Sequence, residues 1–586
     1  MNKHATDELF ESTVLGHPSG LYVLFFTEMW ERFSYYGMRA LLVMFFTASL
    51  MDGGWGWPQE YAFAIFGTYT SLVYLSTLIG GYFADKVIGY RYAVLIGALL
   101  MTLGHASMAA ETPLFIYLGL TLLVFGSGFF KPNMTSIISE MYVKRPEKKD
   151  GAYTIFYMGV NSGAFLGILL CGWFGEKVGW SYGFGLAGIF MLFGLLQFWF
   201  AQGIFGSIGL KPVKKEETNN KSVELDASEP KLNPFTSVQL AMIAISATLG
   251  LLWIFNDPIS KISEGVYNIF NFSLFGMEGT NVAILTALVI FLALLVIRLP
   301  RYDRITRDRM LAVIFFAFIT IFFWAIFEQA PSSLTIFARD YTQRVLEGTA
   351  ANTFKIINTL MTVVPLGIIT WVLFLLFGQT FNKYKWSNIF LGLSFVIIWA
   401  LAIWMLYNEF QQDIAEIPAS WFGVLNSLFI ITLAPLFSKW WESRYNPSGS
   451  MKYAIGMLLL GLGMAMVAIG SANIAPGQKS AMVSPIWLIL VYLFHTMGEL
   501  CISPVALSYV SKLVPGRMIA MMFGIWYLAI AIGMKTAGLF GEASSSISQS
   551  EGLSYFFWML TTIAVSLAVL SAILTPVVKK LMHGIR

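Results

Sequence analysis

The sequence predicts an all-helical integral membrane protein with about sixteen membrane-spanning helices. Of its 586 residues, 57% are hydrophobic and only 12% are charged, whereas soluble domains carry about 25% charged residues. Too few charges remain to solvate a soluble fold of this size. Long apolar runs recur along the chain, for example at 114–130, 284–297 and 389–406, and runs of about 20 apolar residues are typical of membrane-spanning helices. Aromatic residues make up 16% of the chain, and many stand at the ends of these runs, as interfacial belts require.

Six expected spans come first and form one group. They cover residues 21–48, 61–83, 92–110, 114–140, 153–173 and 183–205. The segment 211–233 that follows is rich in Lys, Glu, Asn and Ser, and this composition predicts a linker rather than a span. Ten further spans are expected after the linker, at 236–255, 281–298, 310–337, 352–378, 387–408, 419–438, 453–472, 486–510, 518–540 and 555–578.

Basic residues predict the orientation of these spans. Lys and Arg collect in every second loop, from Lys86 after the second span to Lys580 after the last, whereas the loop around Asp413 falls on the other side and is acidic. Because cytoplasmic loops carry the excess of Lys and Arg, both termini are expected in the cytoplasm. The first twenty residues are polar and predict no signal peptide. Cys171 and Cys501 lie in apolar runs, which predicts no disulfide framework.

The first span carries a stripe of charge. Counted from Glu28, the residues Glu31, Arg32, Tyr35 and Arg39 follow at offsets of 3, 4, 7 and 11, and these positions share one helix face about 100° wide. An ionisable side chain at mid-bilayer costs about 2.5–3.5 kcal/mol, so the stripe is expected to line a protein interior or a water-filled cavity. Two acids beside an arginine suit proton binding with an affinity that the neighbours tune. The alternative is an ion cluster that only fixes helices together.

Three further charged residues lie in separate spans, namely Lys131, Glu328 and Glu499. A cavity with Arg39 and Lys131 for a carboxylate and Glu499 for an ammonium group would suit a zwitterion. The alternative is that Lys131 and Glu499 only neutralise each other, and both interpretations hold in turn if a solute separates the pair.

Other polar residues in the spans have a structural interpretation. Asn161 and Asn426 lie in apolar helices, where such residues often only join helices, and His105 and His495 are interpreted as structural. The sequence has no phosphate-binding loop, metalloprotease motif, nucleophile elbow or cysteine–histidine metal set. An ion gradient therefore remains as the source of energy. We expect protons as the coupling ion, the lipid bilayer as surroundings, and no cofactor, metal or nucleic acid.

Five segments resemble one known family. The first-span segment EMWERFSYYG at 28–37 resembles the signature of the proton-dependent oligopeptide transporters, a branch of the major facilitator superfamily. The segment GGYFADKVIGYR at 80–91 resembles the loop motif of that superfamily, between its second and third helices. The segments 126–133, 156–163 and 498–504 are also similar to the family. The resemblance covers both halves of the chain, and its first-span signature is the most specific part.

The resemblance implies a fold of two six-helix bundles. The family often has two extra helices between the bundles, and the spans at 236–298 fit that insertion; the spans at 352–408 are an additional inserted pair. The expected divisions are a first bundle at 21–205, a linker with the first inserted pair at 206–309, the first helix of the second bundle at 310–345, the second inserted pair at 346–415, and the last five helices at 416–580. Asn426 precedes Ser427 where the family usually has proline, so that helix is expected to bend less.

The resemblance also implies roles for single residues. Proton coupling would involve Glu28, Glu31, Arg32 and Glu328. Gating salt bridges would join Arg39 to Glu328, at the outer gate, and Lys131 to Glu499. Besides Arg39, Lys131 and Glu499, the residues expected to line the peptide site are Tyr35, Tyr36, Tyr74, Asn161, Asn426, Trp324 and Trp526. The loop motif contributes Gly81, Asp85, Lys86, Gly89 and Arg91.

The function implied is a symporter that imports di- and tripeptides with protons across the inner membrane by alternating access, without enzymatic activity. A full set of intramembrane acids with Lys131 and Glu499 favours peptides, since each peptide terminus then meets an opposite charge. A proton-coupled transporter of another small anion or zwitterion, such as nitrate or an amino acid, is the first alternative. A membrane-embedded enzyme or sensor is the second. We expect a monomer.

Overall fold

The computed structural model describes residues 8–211, 233–513 and 519–585. Most of the polar linker predicted at 211–233 lies outside the described residues. Within them the chain forms seventeen α-helices and three two-stranded hairpins. The helices before the linker are α1 (Ser19–Thr47), α2 (Gln59–Phe83), α3 (Tyr90–Met108), α4 (Pro113–Met141), α5 (Lys149–Lys177) and α6 (Trp180–Phe200). The helices after it are α7 (Ser237–Ile262), α8 (Gly279–Arg298), α9 (Arg304–Phe327), α10 (Ser333–Tyr341), α11 (Gly348–Thr380), α12 (Lys385–Gln411), α13 (Trp421–Glu442), α14 (Gly449–Gly470), α15 (Ile486–Leu513), α16 (Ile519–Ser550) and α17 (Leu553–Leu581).

The hairpins are short and antiparallel, and each lies in a connection between helices. They are formed by β1 (Thr13–Val14) with β2 (His17–Pro18), β3 (Ser273–Leu274) with β4 (Met277–Glu278), and β5 (Val345–Leu346) with β6 (Ala415–Glu416). We call the side of the membrane at which α1 ends side A, and the opposite side B. Since the long helices alternate in direction, α7, α9 and α12 end at side A, and α2 and α13 begin there.

The number of spans agrees with the prediction of about sixteen. In the described ranges, fifteen helices are long and apolar enough to cross a membrane. The helix α1, with 29 residues, is the sixteenth by length, and its charge stripe is the reason that its composition is less apolar. The helix α10 has only 9 residues and is too short to span.

One predicted span is wrong in its extent. The sequence predicts a single helix over 310–337, but α9 ends at Phe327 and the separate helix α10 begins at Ser333. Pro331 lies between them. Proline has no backbone N–H and disfavours the helical conformation of the residue before it, so the helix ends ahead of it. This break places Glu328 directly after the last turn of α9.

Closely packed glycines join α1 to α5. Gly159, Gly163 and Gly167 of α5 recur every four residues and therefore share one helix face. A Cβ atom on Gly163 would lie 2.1 Å from the carbonyl oxygen of Met29, and one on Gly167 would lie 2.2 Å from that of Phe33. Small residues at such positions let two membrane helices approach to backbone contact. This packing holds α1 against α5 at the level of Met29 and Phe33, next to the charge stripe.

The second inserted pair, α11 and α12, packs on the first bundle although its position in the chain is within the second. The ring of Phe395 on α12 lies 5.6 Å from Trp30 and 5.7 Å from Phe26, both on α1. The hydroxyl of Ser387 donates a hydrogen bond to the carbonyl of Gln197 on α6, at 2.8 Å. The chain therefore leaves the second bundle after α10, lies against the first bundle, and returns at α13.

Candidate functional site

The charge stripe of α1 is buried, and one guanidinium serves both of its acids. Arg32 Nε lies 2.7 Å from Glu28 Oε1 and 3.0 Å from Glu31 Oε2. The exposed fractions are 2% for Glu28, 0% for Glu31 and 7% for Arg32. The structure thus brings together the residues whose spacing predicts a common face. Two carboxylates that share a single cation are held in competition with each other.

Glu31 is the less well satisfied of the two acids. The Nε–H of Arg32 donates its hydrogen bond to Glu28, whereas neither carboxylate oxygen of Glu31 has a hydrogen-bond partner among the described residues. The charged form of Glu31 therefore lacks the hydrogen bonds that would stabilise it. This geometry distinguishes Glu31 from Glu28, which the sequence alone does not.

Arg39, nearer the end of α1, pairs with an acid of the second bundle. Its Nη2 lies 3.0 Å from Glu328 Oε2, and both side chains are less than a tenth exposed. The guanidinium also lies over the rings of Tyr35 and Tyr36, 5.5 Å and 5.2 Å from their centroids. The break after α9 presents Glu328 to α1, so this ion pair connects the two bundles toward side A.

Lys131 of α4 makes aromatic contacts instead of an ion pair. Its Nζ lies 4.8 Å from the ring centroids of both Tyr35 and Tyr74, a distance suited to a cation–π interaction. In the described part of the chain Lys131 has no carboxylate in ion-pair contact. The pair that the resemblance implies between Lys131 and Glu499 is therefore not formed in this conformation.

Glu499 of α15 is held by a neutral partner. Asn426 Nδ2 donates a hydrogen bond to Glu499 Oε2 at 3.0 Å and lies at the same distance from Thr496 Oγ1. Asn161 Nδ2 instead donates to the carbonyl of Tyr157 in its own helix, at 2.9 Å. Asn426 thus orients an acid, while Asn161 makes the local contact expected of a structural asparagine.

The two tryptophans differ in exposure. Trp526 on α16 is 2% exposed, whereas Trp324 on α9 is half-buried, with its ring 5.4 Å from that of Phe327. His495 packs against Phe327 at 5.9 Å. Neither His495 nor His105 has a hydrogen-bond partner within the described residues, and both are buried, in line with the structural interpretation.

The loop motif acts through Arg91. Its guanidinium donates to the carbonyls of Ile208, Gly206 and Gln202, at 2.5, 2.5 and 3.1 Å. Gly89 has φ +83°, and a Cβ there would lie 2.6 Å from the backbone of Leu210. Of the other three motif residues, a Cβ on Gly81 would meet nothing within 4 Å, Asp85 is exposed and contacts the side chain of Tyr90, and Lys86 is exposed. Arg91 therefore ties the start of α3 to the segment that follows α6.

A second contact between the bundles lies at side A. The carboxylate of Glu176, at the end of α5, accepts hydrogen bonds from the backbone N–H of Ser420 at 2.9 Å and from its hydroxyl at 2.6 Å. Next to it, Glu416 pairs with Lys177 and with Arg344, the latter at 2.9 Å. Burial acts to raise the pKa of Glu416, but Lys177 and Arg344 hold it below the ordinary value. This ion pair is therefore present at neutral pH and is lost only as falling pH protonates Glu416.

The structure contains one partly buried charge cluster that the sequence analysis does not predict. Asp257 and Lys261 of α7 contact Lys535 and Glu542 of α16, and we call these four residues the quartet. Charged residues inside apolar runs are the signal that would have found them. The intramembrane charges considered from the sequence were those of the first span with Lys131, Glu328 and Glu499.

Comparison with known proteins places the chain among transporters. A family model described as the POT family matches residues 91–248 and 394–559. The peptide transporter YePEPT of Yersinia enterocolitica is 31% identical, covering 98% of this chain and 96% of that protein. A di-/tripeptide transporter of Lactococcus lactis subsp. cremoris is 28% identical, covering 98% and 99%. The crystal structure of the peptide transporter POT in complex with sulfate superposes with a TM-score of 0.70 at 28% identity, covering 99% of both chains.

Proposed function

The chain belongs to the POT family, and from this premise we propose that it imports di- and tripeptides together with protons across the inner membrane. Transporters of di- and tripeptides are among its relatives over nearly the whole length of both chains. Alternating access between two helical bundles suits this fold.

The proposal rests on the partners that three charged side chains inside the membrane have in this conformation. Arg39 is engaged with Glu328, whereas Lys131 and Glu499 have aromatic or amide partners and lie in different bundles. A zwitterionic peptide offers a carboxylate for Lys131 and an ammonium group for Glu499. Each buried charge would then gain an opposite charge, which offsets its desolvation.

Two contacts between the bundles support a gating scheme. The Arg39–Glu328 pair and the Glu176–Ser420 contact both join the bundles toward side A, so the present conformation is closed there. In the opposite conformation we propose that Lys131 and Glu499 pair and close side B. Peptide binding would separate them by engaging each charge.

Proton coupling is assigned to the charge stripe. Glu31 is buried, its carboxylate has no hydrogen-bond partner in the described part of the chain, and it shares Arg32 with Glu28. A proton on Glu31 would remove its ion pair with Arg32, and Arg32 would then pair with Glu28 alone. Protonation of Glu31 and the position of Arg32 are therefore linked. Glu328 belongs to the same scheme, because a proton there would release Arg39.

Uptake by purified protein in liposomes tests the function. Each net positive charge moved inward across 100 mV supplies about 2.3 kcal/mol, which corresponds to roughly 50-fold accumulation. We expect concentrative uptake of dialanine with an inward proton gradient and none after a protonophore is added. Gradient-independent accumulation would contradict proton coupling. Competition by excess alanine or nitrate, but not by other dipeptides, would favour the alternative substrates.

A further inference from the structure

The bundles meet at a seam between α2 and α16. A Cβ on Gly67 of α2 would lie 2.9 Å from the Cα of Gly538, and one on Gly538 would lie 2.7 Å from the Cα of Gly67. The two backbones are therefore in direct contact. Because α2 belongs to the first bundle and α16 to the second, this contact must part if the bundles separate on this face.

The quartet lies beside this seam and binds α7 to α16. Lys261 Nζ lies 2.5 Å from Asp257 Oδ1, Asp257 also pairs with Lys535, and Lys261 also pairs with Glu542. Asp257 is 7% exposed and Lys535 is 2% exposed. Two cations and two anions balance each other, so each buried charge has an opposite partner.

On the other side of the seam, α7 packs along α2, and Thr68 makes a side-chain hydrogen bond between the two helices. The hydroxyl of Thr68 donates to the carbonyl of Ile254 on α7 at 3.1 Å and accepts a hydrogen bond from Lys535 Nζ at 3.0 Å. Thr68 is the tenth residue of α2, about 15 Å from its start at side A. Arg39 is eight residues from the end of α1, about 12 Å from the same side. The contact and the Arg39–Glu328 pair are at similar depth.

We propose that the first inserted pair, α7 with α8, is fixed to the second bundle by the quartet and moves with it, so that α7 detaches from Thr68 when side A opens. Charged hydrogen-bonded pairs inside the bilayer are stronger than a hydrogen bond between a hydroxyl and a carbonyl. When the seam parts, Thr68 loses its hydrogen bonds with Ile254 and Lys535, whereas the ion pairs between α7 and α16 do not cross the seam and are kept. The inserted pair then covers the seam between α2 and α16 in the closed conformation. In the open conformation it stays on α16 and no longer contacts α2.

Distances between spin labels test which bundle the inserted pair follows. Three exposed residues at side A serve as cysteine positions: Leu50 in the first bundle, Val266 directly after α7, and Met482 in the second bundle. They are 78%, 76% and 85% exposed, whereas the native Cys171 and Cys501 are buried and not labelled. Pairs are measured by double electron–electron resonance in lipid nanodiscs.

The substitution Glu328→Gln removes the ion pair with Arg39 and favours opening at side A. We expect the Leu50–Met482 and Leu50–Val266 distances to lengthen together while the Val266–Met482 distance keeps its native value. A lengthened Val266–Met482 distance with constant Leu50–Val266 distance would show that the inserted pair follows the first bundle, which would overturn the proposal.

A second comparison does not depend on opening. Asp257→Asn should broaden the Val266–Met482 distribution in the resting protein, whereas Thr68→Val should broaden only Leu50–Val266. An Asp257→Asn distribution as narrow as the native one would also overturn the proposal.

Asp308→Asn, which removes a carboxylate beside Arg307 at side B, is the control and should change neither distance. If Asp257→Asn fails to fold, the double variant Asp257→Asn with Lys535→Gln, which leaves no lone charge of that pair, replaces it. No substrate is used, so the outcome is independent of the proposed transport activity.

Discussion

At the scale of single residues, Arg32 makes the two acids of the charge stripe unequal, because its Nε–H donates a hydrogen bond to Glu28. The offsets of the α1 charges place them on one face because helix periodicity is a local property. Which acid receives the hydrogen bond of Arg32 depends on rotamers and on packing against α5, and the structure assigns it to Glu28. The Arg39–Glu328 pair was implied by family resemblance, and its 3.0 Å geometry depends on the break after α9.

Glu31→Gln tests the assignment of the proton site. Glutamine keeps the size of the side chain and cannot exchange a proton, so proton-driven uptake of dialanine should fall at least 100-fold. Exchange of labelled for unlabelled dialanine requires only that the loaded carrier reorients, and it should remain within about twofold of the native rate. Both are measured in proteoliposomes.

Glu409→Gln is the control, because Glu409 is an acid of the second inserted pair that already accepts a hydrogen bond from Asn358 at 2.8 Å. Loss of exchange in correctly folded Glu31→Gln would assign that residue to binding or gating instead.

Lys131 and Glu499 are expected to be energetically coupled although they are apart in this conformation. Removal of one partner leaves the other unpaired in the conformation that joins them, with a penalty of about 3–5 kcal/mol, or less where water enters. Lys131→Ala and Glu499→Ala should each reduce uptake more than tenfold. The double variant should be little worse than either, because its second change removes a charge that has already lost its partner. Strictly additive losses in this double-mutant cycle would mean that the two residues never meet.

At the scale of helices, composition predicts the spans, and their partners follow from tertiary packing. The apolar runs identify sixteen helices, and Pro331 explains why one of them stops early. No local feature in the sequence of α11 or α12 indicates that these helices pack on the first bundle. A helix that faces lipid is apolar all round, so an apolar sequence does not identify its partner. The quartet also joins residues almost 300 positions apart, and no periodicity links such distant segments.

The glycine contact between α5 and α1 gives a prediction for stability. In Gly163→Ala the new methyl group would meet the carbonyl oxygen of Met29 at 2.1 Å, and overpacking of this kind costs about 1–3 kcal/mol. The melting temperature in detergent should fall by about 1–3 °C. Gly250→Ala on α7 is the matched control, because a Cβ there meets nothing within 4 Å. Its higher helix propensity should leave the protein equal or slightly more stable. Equal melting temperatures for the two variants would contradict close packing at Gly163.

At the scale of the whole molecule, the alternation of basic loops sets the orientation in the membrane. If both termini are cytoplasmic, side A is the outer side and side B is the cytoplasmic side. Leu50 and Arg301 are exposed loop residues at sides A and B respectively. In intact spheroplasts, a membrane-impermeant maleimide should label Leu50→Cys, and it should label Arg301→Cys only after lysis. The reverse pattern would place the termini outside the cell.

The path of the chain through the second inserted pair limits how far the molecule can open. Two connecting segments cross from one bundle to the other at side A, six residues at 342–347 and nine residues at 412–420. A fully extended chain spans about 3.5 Å per residue, so the shorter connection reaches about 20 Å. Any wider separation would have to pull α11 away from the first bundle. The inserted pair is thus held at both ends, and as long as α11 stays on the first bundle, the length of the shorter connection sets the widest opening at side A.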